Sequence, residues 1–385
     1  MRVMILGADG YLGWPTSMYL NAQGHDILAV DGLNKRLWEA EVGVQPLLPL
    51  PTFQERVKTW YDISPSDFGR APKVVGKVCD VATNPSYFDK LVKEFEPDAI
   101  IHYAEQPSAP YSHISARTCV DTQRNNVVST LNLIFSVLRH VPDCHIIKLG
   151  TMGEYGTPNI DIEEGWLDVI HKGREDRILY PKRPGSWYHL SKVHDSHNLE
   201  FSCRAMGLRV TDLNQGVVYG MHTDETWLSS GLCTSFHYDA IFGTVINRFL
   251  AQAAVGMPLS VYGSGGQTRG FLNITDTLKC VELALENPSE SGEFRVFNQF
   301  TEQFSIRELA ERISGLIGAE IRSVPNPRVE QEDHYYSAVH TALPDLGLLP
   351  TLLGDDTLEK MYATVHKNRD RIDQSVLLPD VKWKQ

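Results

Sequence analysis

Apolar and polar positions in the first half of the chain alternate with two rhythms. Short β-branched runs at residues 2–6, 26–30, 73–78, 99–102, 145–149 and 209–213 read as strands. Longer stretches with apolar residues three and four apart predict helices over 12–22, 86–95, 125–139 and 188–206. Pro97 stops the second of these. Such alternation implies an α/β fold, a Rossmann-type doubly wound parallel sheet. Two regions break the rhythm. Residues 32–71 are long for a strand-to-helix connection and carry Pro46, Pro49 and Pro51, which predicts an elaboration lying over a bound cofactor. Beyond Gly216 the pattern is mixed and rich in Pro and Gly, predicting a smaller C-terminal α/β lobe. The expected division is residues 1–215 and 216–385, with an interleaved boundary. There is no internal repeat.

Composition narrows the picture only a little. The 385 residues are 42% hydrophobic and 22% charged, as expected of a soluble globular protein. The net charge of -12 argues against a nucleic-acid partner, which needs a basic face. No apolar run is long enough to span a bilayer, so no membrane partner is expected. Residues 2–6 lead straight into a glycine loop, giving the expectation of a cytoplasmic protein without a secretory leader. Cys79, Cys119, Cys144, Cys203, Cys233 and Cys280 are far apart with no CxxC pair, so reduced thiols and no metal site are expected.

Candidate chemistry begins at the first turn. Gly7-Ala8-Asp9-Gly10-Tyr11-Leu12-Gly13 is GxxGxxG between a strand and a helix. Glycines there permit a tight turn and close approach of backbone to a pyrophosphate at a helix N-terminus. Asp31 closes the second strand, where an acid can hold both ribose hydroxyls and repel a 2′-phosphate. Lys35 and Arg36 could welcome such a phosphate, and Arg36 counts among the cofactor residues. Asp31 outweighs them by its place at the strand end, so the expected cofactor is NAD. Asp80, with Val81 beside it, follows the third strand and can meet the adenine; an ordinary strand-end cap is nearly as good a reading.

Tyr188-His189-Leu190-Ser191-Lys192 is YxxxK in a helix, and the i, i+4 spacing puts phenol and ammonium on one face. A nearby ammonium would lower the tyrosine pKa and let Tyr188 take a proton from a sugar hydroxyl. Thr151 ends the fifth strand and can share that proton. Thr151, Tyr188 and Lys192 downstream of a dinucleotide loop point to short-chain dehydrogenase chemistry.

Four runs carry a resemblance: LGTMGEYGTPNIDIEEG from Leu149, YHLSKVHDSH from Tyr188, DLNQGVVYG from Asp212 and EFRVFNQFTEQFS from Glu293. They are similar to those of the UDP-sulfoquinovose synthase family, and the similarity runs from Met1 to Trp383. The resemblance implies tightly held NAD that oxidises C4 of UDP-glucose, loss of water from C6, and addition of sulfite to the resulting 5,6-ene. It implies Thr151, Tyr188 and Lys192 for the redox step, with His189 and Glu154 as candidates near C5 and C6. It also suggests Arg269, Arg328 and Asn214 around the diphosphate. Sugar 4,6-dehydratases carry an Asp-Glu pair after the strand-end threonine; here Met152 and Gly153 follow, so plain 4,6-dehydration is disfavoured. A homodimer built on the helices over 125–139 and 188–206 is expected from relatives.

The chain departs from that family at two points. Pro107 stands where the family reads Arg in EQRSAPYS, and TSFHYD at 234–239 replaces NRLDYD, so Ser235 replaces a second Arg and His237 an Asp. Both segments are expected to face the sugar end of the pocket, with Gln106 among the substrate residues. Loss of two arginines bears on the sulfite step, because a desolvated anion needs positive charge or several donors. The alternative is a nucleotide-sugar 4-epimerase on the same scaffold, for a different sugar or base. A third reading, an idle NAD-binding protein, sits poorly with the intact Thr/Tyr/Lys group. His194 and His197 are an i, i+3 pair without an evident third ligand, so a metal enzyme is not expected.

Overall fold

Seven parallel strands form the central sheet of the computed structural model, which describes residues 1–63, 73–328, 334–379, 381 and 383. The chain begins β1 (Arg2–Leu6), α1 (Gly13–Ala22), β2 (Asp26–Asp31), α2 (Asn34–Glu41), α3 (Phe53–Ile63), β3 (Val74–Val78), α4 (Pro85–Phe95), β4 (Ala99–His102), α5 (Ala116–His140) and β5 (His145–Thr151). It continues through β6 (Trp166–His171), β7 (Arg174–Leu179), α6 (Trp187–Met206), β8 (Arg209–Gln215), β9 (Val217–Tyr219), α7 (Asp224–Trp227) and α8 (Val245–Ala254). The remainder is β10 (Leu259–Tyr262), β11 (Thr268–Asn273), α9 (Ile274–Glu286), β12 (Phe294–Gln299), β13 (Glu302–Ser305), α10 (Ile306–Ile317), β14 (Ile321–Val324), α11 (Ala342–Asp345) and α12 (Asp355–Lys367).

The strand order is β12-β8-β5-β4-β1-β2-β3. The chain therefore builds outward from β1 in one direction, then returns to β4 and builds the other way. The crevice at that reversal, above the carboxyl ends of β1 and β4, is where such sheets hold ligands. Helices cover both faces. Trp14, Met18, Phe53 and Cys280 bury one side of the sheet, while Phe88, Leu133, Leu199 and Cys203 bury the other. Buried on both faces, β1 and β4 read as near-continuous apolar runs rather than alternating ones, and β5 does so except for Lys148.

Past β8 the chain leaves the sheet at Gly216. β9 pairs with β11, and β11 with β13, in a separate three-stranded sheet; β12 then returns to pair with β8. A second apolar cluster, with Phe249, Leu309 and Met361, fills this lobe. Helix α5 starts nine residues before the expected position 125. Ser115 and Thr118 form a reciprocal capping box that nucleates a polar first turn, which apolar spacing alone does not reveal. The antiparallel hairpin of β6 and β7 was not anticipated either, its charged strands being largely solvent-facing. Residues 64–71 of the expected elaboration lie outside the described residues. All six cysteines are unpaired, and five are buried.

Candidate active site

The glycine loop folds as it does because other side chains do not fit. Gly7 has φ of 81°, and a Cβ there would lie 2.6 Å from the Tyr103 carbonyl. A Cβ on Gly13 would meet the Gly7 carbonyl oxygen at 2.1 Å. Gly7, Gly10, Tyr11, Leu12 and Gly13 thus line one wall of a cavity of about 460 Å³ that extends into the C-terminal lobe. Tyr11 reaches across it, its hydroxyl donating to the Gly220 carbonyl at 2.6 Å.

Asp31 also lines the cavity, its carboxylate accepting from the backbone N–H of Asp9 at 2.8 Å and of Leu33 at 2.6 Å. Burial, with repulsion from Asp9, pushes its pKa up to about 6. Asp31 must be ionised to accept two ribose hydroxyls, and a carboxyl whose pKa is raised is lost as an acceptor when pH falls through the raised value. NAD affinity of the apoenzyme should fall about tenfold per pH unit below pH 6. A flat Kd between pH 7 and 5, measured by titration calorimetry, would remove Asp31 from this role.

Arg36 is not a wall residue. Its guanidinium is drawn to Asp9 at 2.6 Å and to the Pro51 carbonyl at 2.7 Å, and the buried Arg56 shares that carboxylate. Lys35 lines the cavity but is bound to Glu39 at 2.6 Å and contacts His237 at 3.0 Å. Neither basic residue offers a free charge to a 2′-phosphate, which agrees with NAD. Asp80 and Val81 line the cavity, and Asp80 is at the same time a strand-end cap, accepting from Ala82 N–H at 2.9 Å and Thr83 N–H at 3.2 Å.

Thr151 and Tyr188 both face the cavity. Lys192 stands behind the wall, nearly buried, its ammonium in contact with Glu105, which does line the cavity. The expected depression of the Tyr188 pKa is not what the surroundings produce. Burial, reinforced by Glu105 and Glu154, holds the phenol well above its ordinary value, with Lys148 pulling the other way. Lys192 spends its charge on Glu105, so the phenol is neutral in this state.

His189 lines the cavity beside Tyr188, ring centroids 5.0 Å apart. Burial, then Arg328 and Arg269, push its pKa down to about 3, so it is neutral at pH 7. Ser186 Oγ accepts from the His189 backbone N–H at 3.0 Å and lies 2.9 Å from Nδ1. With the ring proton on Nδ1 and donated to Ser186 Oγ, Nε2 keeps its lone pair. Nε2 occupies the space a side chain at position 153 would fill, because a Cβ on Gly153 would lie 2.3 Å from it. The absence of a side chain at Gly153 therefore makes room for the imidazole. Gly153→Ala should displace the ring and lower kcat about tenfold or more; unchanged kcat in a folded variant would show the ring is not needed there.

Glu154 is not at the cavity. It is fully buried, accepting from Lys148 at 3.2 Å, Lys182 at 2.5 Å, Ser196 Oγ at 2.9 Å and the Thr151 backbone N–H at 3.2 Å. Burial alone would raise its pKa, but Lys148 and Lys182 hold it well below the carboxylate range. Buried and off the cavity wall, this anion instead holds the Thr151 turn through that backbone N–H. Gln106 and Asn214 are likewise off the wall. Gln106 Oε1 accepts from Ser108 N–H at 3.2 Å, and Asn214 donates to the Tyr155 hydroxyl at 2.8 Å while covering Gly150. Arg269 and Arg328 do line the cavity, as do Pro107, Ser235 and His237.

Sequence reasoning missed Glu105, Lys148, Lys182 and Arg248. Arg248 lines the cavity with its guanidinium 4.6 Å from the Tyr262 ring. A lysine within the apolar strand run of residues 145–149 was the one visible signal for the buried network.

Residues 3–298 match the NAD dependent epimerase/dehydratase family. The chain is 50% identical to the chloroplastic UDP-sulfoquinovose synthase of Spinacia oleracea, over all of this chain and 79% of that one. It is 42% identical to the UDP-sulfoquinovose synthase of Sulfolobus acidocaldarius, over all of this chain and 98% of that one. The chain belongs to the UDP-sulfoquinovose synthase family, within the NAD-dependent epimerases and dehydratases. Among solved structures, the UDP-glucose 4-epimerase of Bifidobacterium longum in complex with NAD+ and UDP has the same fold, with a TM-score of 0.68 at 20% identity over 96% of this chain and 100% of that one. The protein is an NAD-dependent nucleotide-sugar enzyme. Among the described residues, no helix is long and apolar enough to cross a membrane.

Proposed function

We propose that this family member acts on UDP-glucose, working at C4 through Thr151 and Tyr188 and at C5 and C6 through His189. The observation that carries the reading is the adjacency of a neutral Tyr188 and a neutral His189 on one cavity wall, with Arg269 and Arg328 facing the same space. Bound NAD, held by the Gly7–Gly13 loop and Asp31, would supply reversible two-electron oxidation at C4. Tyr188, once its own proton has passed to solvent, takes the O4 proton as hydride leaves C4, with Thr151 hydrogen-bonding O4 and Lys192 paired to Glu105 behind it. His189, with its ring proton on Nδ1, takes the C5 proton at Nε2 and passes that same proton to the departing C6 hydroxyl, which leaves as water. Arg269 and Arg328 hold the diphosphate.

Pro107 and Ser235 on the cavity wall favour a second reading, 4-epimerisation without sulfite, since neither residue brings an anion a charge. The deciding experiment is mass spectrometry and proton NMR of product after incubation with UDP-glucose, with and without sulfite. A sulfonated sugar formed only with sulfite establishes the first reading; unchanged mass with inverted C4 establishes the second and overturns the first.

Residues 1–215 are assigned mainly to NAD and 216–385 mainly to the nucleotide sugar, in a cytoplasmic homodimer. Val120, Leu131 and Phe135 of α5 and Phe201 and Met206 of α6 are exposed large apolar side chains, consistent with pairing through these helices. Light scattering giving a monomer mass would exclude the dimer.

A further inference from the structure

Beyond α12 the chain crosses the lobe toward the cavity. Arg371 Nε donates to the Leu47 carbonyl at 2.8 Å, the Val376 carbonyl accepts from Ala240 N–H at 2.9 Å, and Leu377 is buried. Pro379, Val381 and Trp383 then line a small crevice that shares Pro110, Ala240, Tyr262 and Arg328 with the main cavity.

Trp383 is gripped from three directions. Its ring stacks on His113, centroids 4.4 Å apart and planes 10° from parallel. The Arg328 guanidinium carbon lies 5.2 Å from the indole centroid. The Trp383 backbone N–H donates to the Pro327 carbonyl at 3.3 Å. Burial lowers the His113 pKa, so at neutral pH the ring brings no charge to oppose the guanidinium. The two partners belong to opposite halves of the site. His113 follows Ser112, whose Oγ accepts from the Tyr188 backbone N–H at 3.2 Å. Arg328 lines the cavity, and its charge reaches His189.

We propose that Trp383 is a positioning residue, which clamps the Arg328 guanidinium between the C-terminal segment and the cavity so that it meets the substrate diphosphate already oriented. This rests on the assignment of Arg328 to the diphosphate. The physical reason is preorganisation. A loop arginine has many rotamers to lose on binding an anion, and an aromatic face that holds the cation beforehand removes part of that cost. The indole lines the small crevice and not the main cavity, so its effect falls on binding rather than on chemistry.

The test uses the full-length, NAD-loaded enzyme and UDP as probe, with Kd from calorimetry and kcat and KM from turnover. Trp383→Ala should raise the Kd for UDP about tenfold and KM in parallel, with kcat within about threefold. Trp383→Phe should recover most of the affinity, whereas Trp383→Leu, which fills space without a π face, should not. The double variant with Arg328→Ala should bind no more than about twofold weaker than Arg328→Ala alone. NAD content and melting temperature report whether each variant is folded. If Arg328→Ala weakens UDP binding and Trp383→Ala and Trp383→Leu do not, the clamp is wrong and the diphosphate assignment stands. If Arg328→Ala binds UDP as the parent does, the assignment fails and the clamp with it. Additive effects in the double variant also overturn the clamp.

Discussion

Tyr188→Phe will leave the protein folded and NAD-loaded and will lower kcat by about three orders of magnitude, within the range for removal of a general acid–base group. The phenol is the cavity-facing hydroxyl beside His189; burial and two carboxylates keep it protonated in the empty site, so it must release that proton to solvent before its oxygen can take the O4 proton. Removing one oxygen deletes that site without disturbing the packing of the ring against His189. KM should stay within about threefold, because the interaction is made with the reacting proton rather than with the ground-state sugar. Product NMR reads the rate, and NAD released on denaturation reads cofactor content. Retention of a tenth or more of parent kcat would show that Thr151 or His189, not Tyr188, carries the proton.

Much of this site was legible in the sequence because it lies where backbone pattern dictates position. A glycine loop after β1, an acid at the end of β2, a threonine at the end of β5 and YxxxK in α6 are each tied to an element end, and element ends converge above the switch point. What pattern could not supply was side-chain direction across distant segments. Asn214 and Gln106 sit in the right strands and loops, yet they turn inward, to Tyr155 and to Ser108. Glu154 lies three residues from Thr151 and would be within reach of substrate, but two buried lysines compete for it and win. The same competition explains Lys192, whose partner is the unanticipated Glu105 rather than the Tyr188 phenol. Charge neutralisation in the interior overrode the local motif at both places.

That buried network yields the other large expected effect. Lys148 donates to Glu154 at 3.2 Å, to Ser196 Oγ at 2.9 Å and to the Lys192 carbonyl at 3.2 Å, and lies 3.3 Å from Asp212. Lys148→Met keeps the volume and removes the charge, leaving Glu154 and Asp212 with one fewer cation in a fully buried site. Breaking a buried pair from one side costs about 3–5 kcal/mol, so the melting temperature at pH 7 should fall by several degrees or more. The pH dependence identifies the cause. Glu154 is held below its ordinary pKa, so its share of stability is present above the unfolded value of about 4.3 and lost as pH falls through the lower folded one. Lys148 is shifted upward despite burial, by Asp212 and Glu154, so its share is present below about pH 10.4 and lost only as pH rises through a higher value. The gap between parent and variant is therefore full from about pH 5 to 10 and narrows toward pH 4 and below, as Glu154 in the variant takes up a proton. Because Glu154 also accepts from the Thr151 backbone N–H, kcat should fall with stability, whereas NAD content, set by the loop at β1, should not. Equal melting temperatures at pH 7, or a gap unchanged between pH 7 and 4, would show that the network is not what holds the Thr151 turn.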